Sequence, residues 1–389
     1  MLALGGLSAF GPLSLDLYLP GLPQLTTDLR ASEAAGQLSL SLCMIGLALG
    51  QLLVGPFTDR VGRRRPLLVG VVVYALSAAL CAITPSVELL LLFRLLTGLA
   101  GGAGIVIARA MVRDLYDGDM VARVFALLML VSGTAPVLAP VLGGGLLLVT
   151  DWRGVFWVLA AIGAVLLVAA LSQPESLPGP RRRAAGGGAL LRVLRAVLRD
   201  RTFLVPALVL SLSSCALFSY IAMGSFVLQG AYGLGQQGFA VVFAVNSIGI
   251  VLFGRLSAVL VGPVGARRLL RAGVALALLA AVSLLLAVLL SGSVWAVLPP
   301  LFLLVGSIGL VFPNGTALAL AGQKQAAGSA SALLGLLQFA LGAVLPPLAS
   351  LGGVTPLVMA LSIVATAVAA GLVQLALPGP AAETGENKR

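Results

Sequence analysis

Histidine is absent from this chain of 389 residues, and only 10% of the residues are charged. A soluble domain carries about 25% charged residues, so this chain has too little charge to cover a water-facing surface. Without histidine, imidazole acid–base relays and most transition-metal sites are excluded. The three cysteines, Cys43, Cys81 and Cys215, lie far apart within apolar segments. We therefore expect no disulfide framework, no metal site and no cofactor.

Hydrophobic residues make up 60% of the chain, and its mean hydropathy is +1.11. They fall into runs of about 20 residues separated by short polar breaks, a pattern typical of membrane-spanning helices. The fold class expected is therefore an all-α membrane protein. The runs predict twelve spans, at 1–24, 35–58, 66–84, 87–112, 120–149, 153–172, 202–229, 236–261, 268–291, 294–319, 325–351 and 354–377.

The basic residues predict the orientation in the membrane. Of the 24 lysines and arginines, 20 fall in the even-numbered connections between spans or in the C-terminal tail. Arg30 and Arg153 lie on the opposite side, and Arg94 and Arg109 lie within the fourth span. We therefore expect a multi-pass protein of the cell membrane with both termini in the cytoplasm. Because the chain starts in apolar sequence without a basic leader, we expect no cleavable signal.

The same asymmetry accounts for the net charge of +11, so nucleic acid is not an expected partner. The longest polar break divides the spans six and six. The predicted organisation is an N-terminal six-helix bundle at 1–172, a cytoplasmic linker at 173–201, a C-terminal six-helix bundle at 202–380 and a cytoplasmic tail at 381–389.

A short internal repeat supports the division into two halves. Gly62 and Gly70 recur as Gly265 and Gly273, with arginines at equivalent places after the first glycine of each pair. Because six spans is an even number, the two halves have the same membrane orientation. This is the parallel-repeat arrangement of transporters that rock two bundles around a central site.

The connection between spans two and three carries the most specific motif, GPFTDRVGRRRP at 55–66. It resembles the signature loop of the major facilitator superfamily. Segments 15–23, 93–98, 111–114 and 135–144 resemble motifs of its drug:proton antiporters, and 111–114 resembles the bicyclomycin/chloramphenicol-resistance (Bcr/CflA) subfamily. The resemblance implies the major facilitator fold, with 12 transmembrane helices in two parallel-repeat six-helix bundles.

Asp16 is the residue expected to carry a coupling proton. An ionisable side chain at membrane depth costs at least ~2.5 kcal/mol, and of the 13 acidic residues only Asp16 lies well inside a span. From Arg201 to Ala382 there is no acid, so the second bundle has no carboxylate to carry a proton. Arg94 is the expected partner of Asp16. The alternative is that Arg94 is structural and bonds backbone carbonyls.

Two further groups follow from the resemblance. A charged latch at the cytoplasmic rim is expected to stabilise the outward-open state, and a solvated basic patch is the alternative. A bent antiporter helix is expected in span five, and a merely structural kink is the alternative. The latch comprises Gly55, Asp59, Arg60, Gly62, Arg63, Arg64, Arg113 and Asp114, and the antiporter helix comprises Pro136, Pro140, Gly143 and Gly144.

Aromatic, amide and methionine side chains from both bundles are expected to line an apolar substrate cavity with a few polar anchors. Ordinary helix packing is the alternative for each of them. A single carboxylate suits neutral or monocationic lipophilic compounds. These substrate-binding candidates are Tyr18, Met44, Met129, Phe218, Tyr220, Asn246, Asn314 and Gln338.

The function expected is proton-coupled efflux of small lipophilic drugs by alternating access, with proton and drug competing at Asp16. The drugs expected are phenicol-like, bicyclomycin-like or of several classes, and we expect a monomer in the lipid bilayer. Transport of an endogenous small metabolite is the alternative, and a non-transporting membrane sensor is a more remote one. An enzyme is not expected, because the sequence has no histidine and places no paired carboxylates within the membrane.

Overall fold

The computed structural model describes residues 2–116, 138–177, 187–323 and 327–377, together with positions 120, 124 and 128. This part of the chain is built from helices joined by short connections. In chain order they are α1 Leu2–Asp16, α2 Leu22–Asp28, α3 Glu33–Val61, α4 Arg64–Ile83, α5 Val87–Leu115, α6 138–146, α7 Trp152–Leu171, α8 Gly187–Arg199, α9 Arg201–Phe226, α10 Gln236–Val264, α11 Ala266–Leu290, α12 Val294–Leu320, α13 Ala327–Ala349 and α14 Pro356–Leu375.

Ten stretches of the described chain are long and apolar enough to cross a membrane, and each coincides with a predicted span. Many large apolar side chains on these helices are exposed, among them Val69, Val168 and Val259. In water such a surface would be unstable, whereas in a bilayer it contacts lipid. Half of predicted span five, including Pro136 and Met129, lies outside the described residues, and α6 belongs to the end of that span.

The first span differs from its prediction as one continuous helix over 1–24. Helix α1 ends at Asp16, a 3₁₀ turn follows at Leu19–Gly21, and α2 then runs to Asp28. The physical reason lies in Pro20 and Pro23, which have no backbone N–H to continue the α1 hydrogen-bond ladder. Each instead occupies the first turn of a new helical segment, where proline is tolerated.

Four of the long helices begin at side-chain caps on the side that carries few arginines. Ser32 accepts from the amide of Ala35, Ser86 from that of Leu89, Asp151 from that of Gly154 and Thr355 from that of Val358. Such caps satisfy amides that have no partner within the helix, typically contributing ~1 kcal/mol each. These polar cap residues therefore set where α3, α5, α7 and α14 begin.

The helices pack as two groups, of which the first comprises α1–α7 and the second comprises α9–α14. In the first, α3 packs on α5, and α4 packs on α5 and α7; in the second, α10 packs on α12, and α11 packs on α12 and α14. Across the two groups, α3 packs along α13. Helix α8 of the linker packs on α9 and α13. The pairs in the two groups correspond, which agrees with a duplicated six-helix unit.

The internal repeat has the same local structure in both halves. Gly62 ends α3 with φ of 100°, and Gly265 ends α10 with φ of 86°, a region that favours glycine. Directly after them, Arg64 donates to the carbonyl oxygen of Leu171 at 3.1 Å, and Arg267 donates to that of Leu377 at 2.6 Å. Arg64 thus ties the start of α4 to the end of α7, and Arg267 ties the start of α11 to Leu377, just after α14.

Candidate functional site

Asp16 lies at the end of α1, where the first span breaks, and only 6% of its surface is exposed. It borders a small cavity between the two groups of helices, with room for about one water molecule (about 10 Å³). Met44 of α3, Phe218 of α9 and Gly342 of α13 lie on the other sides of this cavity. The site therefore places a carboxylate among apolar side chains from both halves of the chain.

Arg94 holds the broken end of α1 through its backbone. Its side chain is fully buried; Nη2 donates to the carbonyl oxygen of Ser14 at 2.7 Å, and Nε donates to that of Ser39 at 3.4 Å. The last carbonyls of a helix have no partner within it, so the guanidinium satisfies one of them. Although the structure describes both residues, Arg94 and Asp16 form no ion pair. Arg94 makes the backbone contacts of the alternative role.

Aromatic rings surround the Arg94 guanidinium. Its central carbon lies 4.5 Å from the centroid of the Tyr18 ring and 5.6 Å from that of Phe156. The Tyr18 hydroxyl lies 2.8 Å from Oγ of Ser39. Tyr18 is fully buried in this arrangement and does not border the Asp16 cavity. The break between α1 and α2 turns the Tyr18 ring toward Arg94 instead, and its expected role in substrate binding stays a prediction.

Of the other substrate-binding candidates, some border the Asp16 cavity and others lie away from it. Met44 and Phe218 border the Asp16 cavity. Tyr220 and Asn246 bond each other at 2.9 Å inside the second group of helices, away from that cavity. Asn314 donates to Oγ of Ser257 and to the carbonyl oxygen of Leu310, at 2.7 Å each.

These buried amides have partners within their own bundle, as a polar group in apolar surroundings requires. Gln338 of α13 is half-buried and does not border the Asp16 cavity either. Met129 lies outside the described residues. The cavity at Asp16 is small, and it is not bordered by Tyr220, Asn246, Asn314 or Gln338.

The expected latch residues form a compact charged cluster at the arginine-rich end, the end of the helices where Gly62 and Gly265 lie. Arg63 is its centre and contacts Asp59 of α3 at 2.6 Å and Asp114 of α5 at 3.1 Å. Its Nη1 also donates to Oγ1 of Thr58 at 2.6 Å. All of these contacts stay within the first group of helices. Arg60 and Arg113 are exposed nearby, and Gly55 faces α5.

Glu175 completes this cluster and was not among the site residues predicted from the sequence. Its carboxylate accepts from the backbone amides of Arg63, at 2.7 Å, and Arg64, at 3.3 Å. These amides open α4, so Glu175 places a negative charge at the positive end of that helix. The one available signal was an acidic residue placed soon after span six.

Two glycines of α6 lie between the break in the first span and α10. A Cβ added at Gly143 would overlap the carbonyl oxygen of Leu17, and one added at Gly144 would lie 2.6 Å from Cβ of Ala240. Nε2 of Gln237 donates to the carbonyl oxygen of Gly144. Pro140 lies on α6 one turn before them. This end of span five therefore packs closely on both the first-span break and α10.

Five hydrogen bonds join the two groups of helices within the described residues, and all five lie at the end opposite the arginine-rich end. They run from Ser225 to Leu19, from Gln229 to Pro20, from Gln237 to Gly144, from Ser350 to Gln37 and from Val354 to Glu33. The two groups are therefore held together at this arginine-poor end.

Comparison with known proteins decides the family. Residues 3–347 match the family described as Major Facilitator Superfamily. The chain belongs to this superfamily. It is accordingly a multi-pass membrane transporter rather than an enzyme, and the fold expected from the signature loop is confirmed.

Named relatives support the resemblance of this chain to the Bcr/CflA subfamily. It is 37% identical over 376 residues, 95% of its length and 92% of the other's, to the uncharacterized MFS-type transporter YdgK of Bacillus subtilis. It is 32% identical over 348 residues, covering 89% and 87% of the two chains, to a bicyclomycin resistance protein homolog of Haemophilus influenzae. It is 31% identical over 237 residues, 61% and 60% of the two chains, to the multidrug resistance protein MdtL of Escherichia fergusonii.

Solved structures share the fold of this superfamily member at low sequence identity. The nucleoside transporter NupG matches with a TM-score of 0.74 at 13% identity, covering 97% of each chain. A bacterial homolog of the human lysosomal transporter Spinster matches with a TM-score of 0.70 at 16% identity, covering 96% of this chain and 94% of that one.

Proposed function

We propose that this transporter exports small lipophilic drugs in exchange for protons, and that Asp16 carries the proton. Two relatives bear the names of bicyclomycin and multidrug resistance proteins, which supports drugs as the substrate class. The observation that carries the proposal is the position of Asp16 between the two groups of helices. A group that both protons and substrate must reach from either side of the membrane belongs at this position.

Competition between proton and drug at Asp16 follows from its surroundings. The cavity beside it is lined mainly by apolar side chains and holds about one water molecule. A charged carboxylate in such a place needs a partner, because burying an unpaired charge is costly. In this closed cavity a proton is the partner of lowest volume. A drug that enters when the cavity widens takes the place of the proton as partner.

Arg94 is a positioning residue in this proposal. By bonding the carbonyl of Ser14 it fixes the end of α1, and with it the direction in which Asp16 is presented. Its Nη1 is buried and has no hydrogen-bond partner among the described residues. That donor remains for the Asp16 carboxylate or a water molecule after the proton leaves.

On this proposal, the arrangement in this structure is closed on the outer side of the membrane. The two groups of helices are joined at the arginine-poor end, and the positive-inside rule assigns that end to the outside. On this assignment both termini lie in the cytoplasm, and the Arg63 cluster lies at the cytoplasmic rim. We propose that this cluster locks against the second bundle when the transporter opens outward, and that a monomer suffices for the cycle.

Transport in everted membrane vesicles tests the proposal. The vesicles carry wild type, Asp16→Asn, Asp16→Glu or the control Glu88→Gln, and a panel including chloramphenicol and bicyclomycin is added with an imposed pH gradient. We expect wild type and Glu88→Gln to accumulate drug with the gradient, Asp16→Glu to keep part of this activity and Asp16→Asn to lose it. Full gradient-driven accumulation by Asp16→Asn would contradict Asp16 as proton carrier. A wild type that exports no drug would instead favour an endogenous metabolite as substrate.

A further inference from the structure

A groove of about 540 Å³ lies between the first turns of α10 and α12, at the arginine-poor end. Val241, Val242 and Val245 form one wall, and Trp295, Leu298 and Phe302 form the other. The groove is separate from the Asp16 cavity, and the proposed drug and proton cycle does not use it. Its volume falls within the range of ~300–1,000 Å³ typical of small-molecule sites.

Water is a poor occupant for this groove. A groove of this volume would hold many water molecules, and each would need two to four polar partners. The polar side chains on its walls are Gln237 and Asn246. Gln237 already donates to Gly144, and Asn246 already donates to Tyr220. The remaining lining is apolar, so an apolar occupant is required.

The groove is continuous with the lipid-facing surface of the transporter. Val241 is 62% exposed and Trp295 is 78% exposed. Further along α10, Leu252 and Val259 continue the same apolar, exposed surface. An opening of this kind in a membrane-spanning helix pair is filled from the bilayer, because the bilayer is the solvent on that face.

Its length matches one leaflet. From Gln237 to Asn246, α10 rises about 14 Å at 1.5 Å per residue, and half of a ~30 Å hydrocarbon core is about 15 Å. Trp295 lies at the outer end of the groove, where tryptophan is enriched at the level of the lipid headgroups. The groove thus runs from headgroup level to near the middle of the membrane.

We propose that this groove binds one acyl chain of a phospholipid from the leaflet at the arginine-poor end. The chain packs along the valines of α10 and under the Trp295 ring. Its upper part lies beside Gln237, whose amide joins α10 to α6 across the two groups of helices. The proposal rests on the membrane fold and does not depend on which substrate is transported.

Lipid retention tests this site. Wild type, Val241→Phe and Val259→Phe are purified from mixed micelles containing dioleoyl phosphatidylglycerol, and retained lipid is counted by native mass spectrometry. Val241→Phe places a ring in the groove, whereas Val259→Phe places one on the same helix outside it. We expect the species with one bound lipid to fall severalfold in Val241→Phe and to stay at the wild-type level in Val259→Phe.

A second measurement covers the case in which detergent strips lipid from every variant. In a Trp152→Phe, Trp157→Phe background, Trp295 is the remaining tryptophan, and its quenching by lipids brominated on the acyl chain reports groove occupancy in vesicles. Val241→Phe should weaken this quenching, and Val259→Phe should not. Equal retention and equal quenching in the two variants would overturn the proposal. So would displacement of the bound lipid by chloramphenicol, which would assign the groove to substrate.

Discussion

Asp16 and Arg94 occupy neighbouring but different environments, and this separates their roles. Asp16 borders the cavity between the bundles, whereas Arg94 is enclosed behind it by Tyr18 and Phe156. In the proposed cycle, Asp16 exchanges the proton and the ligand, and Arg94 holds the backbone that presents Asp16. The break after Asp16 makes both possible, because it leaves a helix carbonyl for Arg94 to bond.

Replacing Arg94 by lysine should impair transport through the backbone of α1. A lysine is a single point donor and cannot reproduce the fork that spans the carbonyls of Ser14 and Ser39. A buried carbonyl left without a donor costs about 1–3 kcal/mol. We expect Arg94→Lys to lower the rate of drug efflux and to shift its pH profile, measured in vesicles at several external pH values.

Arg153→Lys is the matched control, because Arg153 also bonds two backbone carbonyls, those of Ala82 and Thr84, but does not border the Asp16 cavity. It should lower thermal stability without moving the pH profile. If both variants shifted the profile equally, the specific role of Arg94 would be wrong.

The sequence contained enough to identify Asp16 but not the partners of Arg94. Asp16 is the one acid well inside a span, and that follows from hydropathy alone. The bond from Arg94 to Ser14 depends on where α1 ends, and Pro20 and Pro23 were a signal for that break which the span assignment overrode. Residues such as Glu175 find their partners only when α4 and the end of α7 meet, which one-dimensional spacing does not encode.

At the scale of an element, α6 carries a glycine that has no room for a larger side chain. Gly143 lies against the carbonyl of Leu17, whereas Gly145 has open space around it. Gly143→Ala should therefore force α6 away from the first-span break, a kind of overpacking that costs about 1–3 kcal/mol. We expect Gly143→Ala to lower both the melting temperature of the purified protein and its transport rate.

Gly145→Ala, two residues away on the same element, should behave as wild type in both measurements. Equal losses in the two variants would mean that helix propensity or insertion, rather than contact with Leu17, decides the effect.

The carboxylate of Asp200 caps the start of α9, and its contribution to stability should depend on pH. Asp200 accepts from the amide and hydroxyl of Thr202 and from Gln323, and the hydrogen bonds from Thr202 hold the pKa of Asp200 below its ordinary value. A depressed pKa means that this stabilisation is complete above the pKa of an unfolded aspartate, about 3.9, and is lost as pH falls through the folded pKa.

Asp200→Ala should therefore lower the free energy of unfolding by about 1 kcal/mol at neutral pH, the usual value of an N-cap. The difference from wild type should shrink as the pH is lowered below about 4. Chemical unfolding of the detergent-solubilised protein at several pH values measures this. A difference that stayed constant down to the lowest pH would exclude the carboxylate as its cause.

At the scale of the whole molecule, hydrogen bonds join the two groups of helices at the arginine-poor end, and the Asp16 cavity lies between the groups. Gln37 of α3 and Ser350, just after α13, are in hydrogen-bond contact at 2.8 Å at the joined end. Alternating access requires this contact to part once in each cycle. A short cross-linker with a reducible disulfide, joining Gln37→Cys to Ser350→Cys, should therefore stop transport, and a reductant should restore it. Transport at the full rate with the cross-link formed would contradict the rocking of two bundles.

The central claim is that drug and proton exchange at Asp16, and proton release on drug binding tests it most directly. The purified transporter in weakly buffered detergent solution is titrated with a drug that the wild type exports, and protons are followed with a pH indicator. The account predicts that wild type releases protons as drug binds, over a pH range where Asp16 is protonated, and that Asp16→Asn binds drug and releases none. Equal proton release by wild type and Asp16→Asn would contradict it.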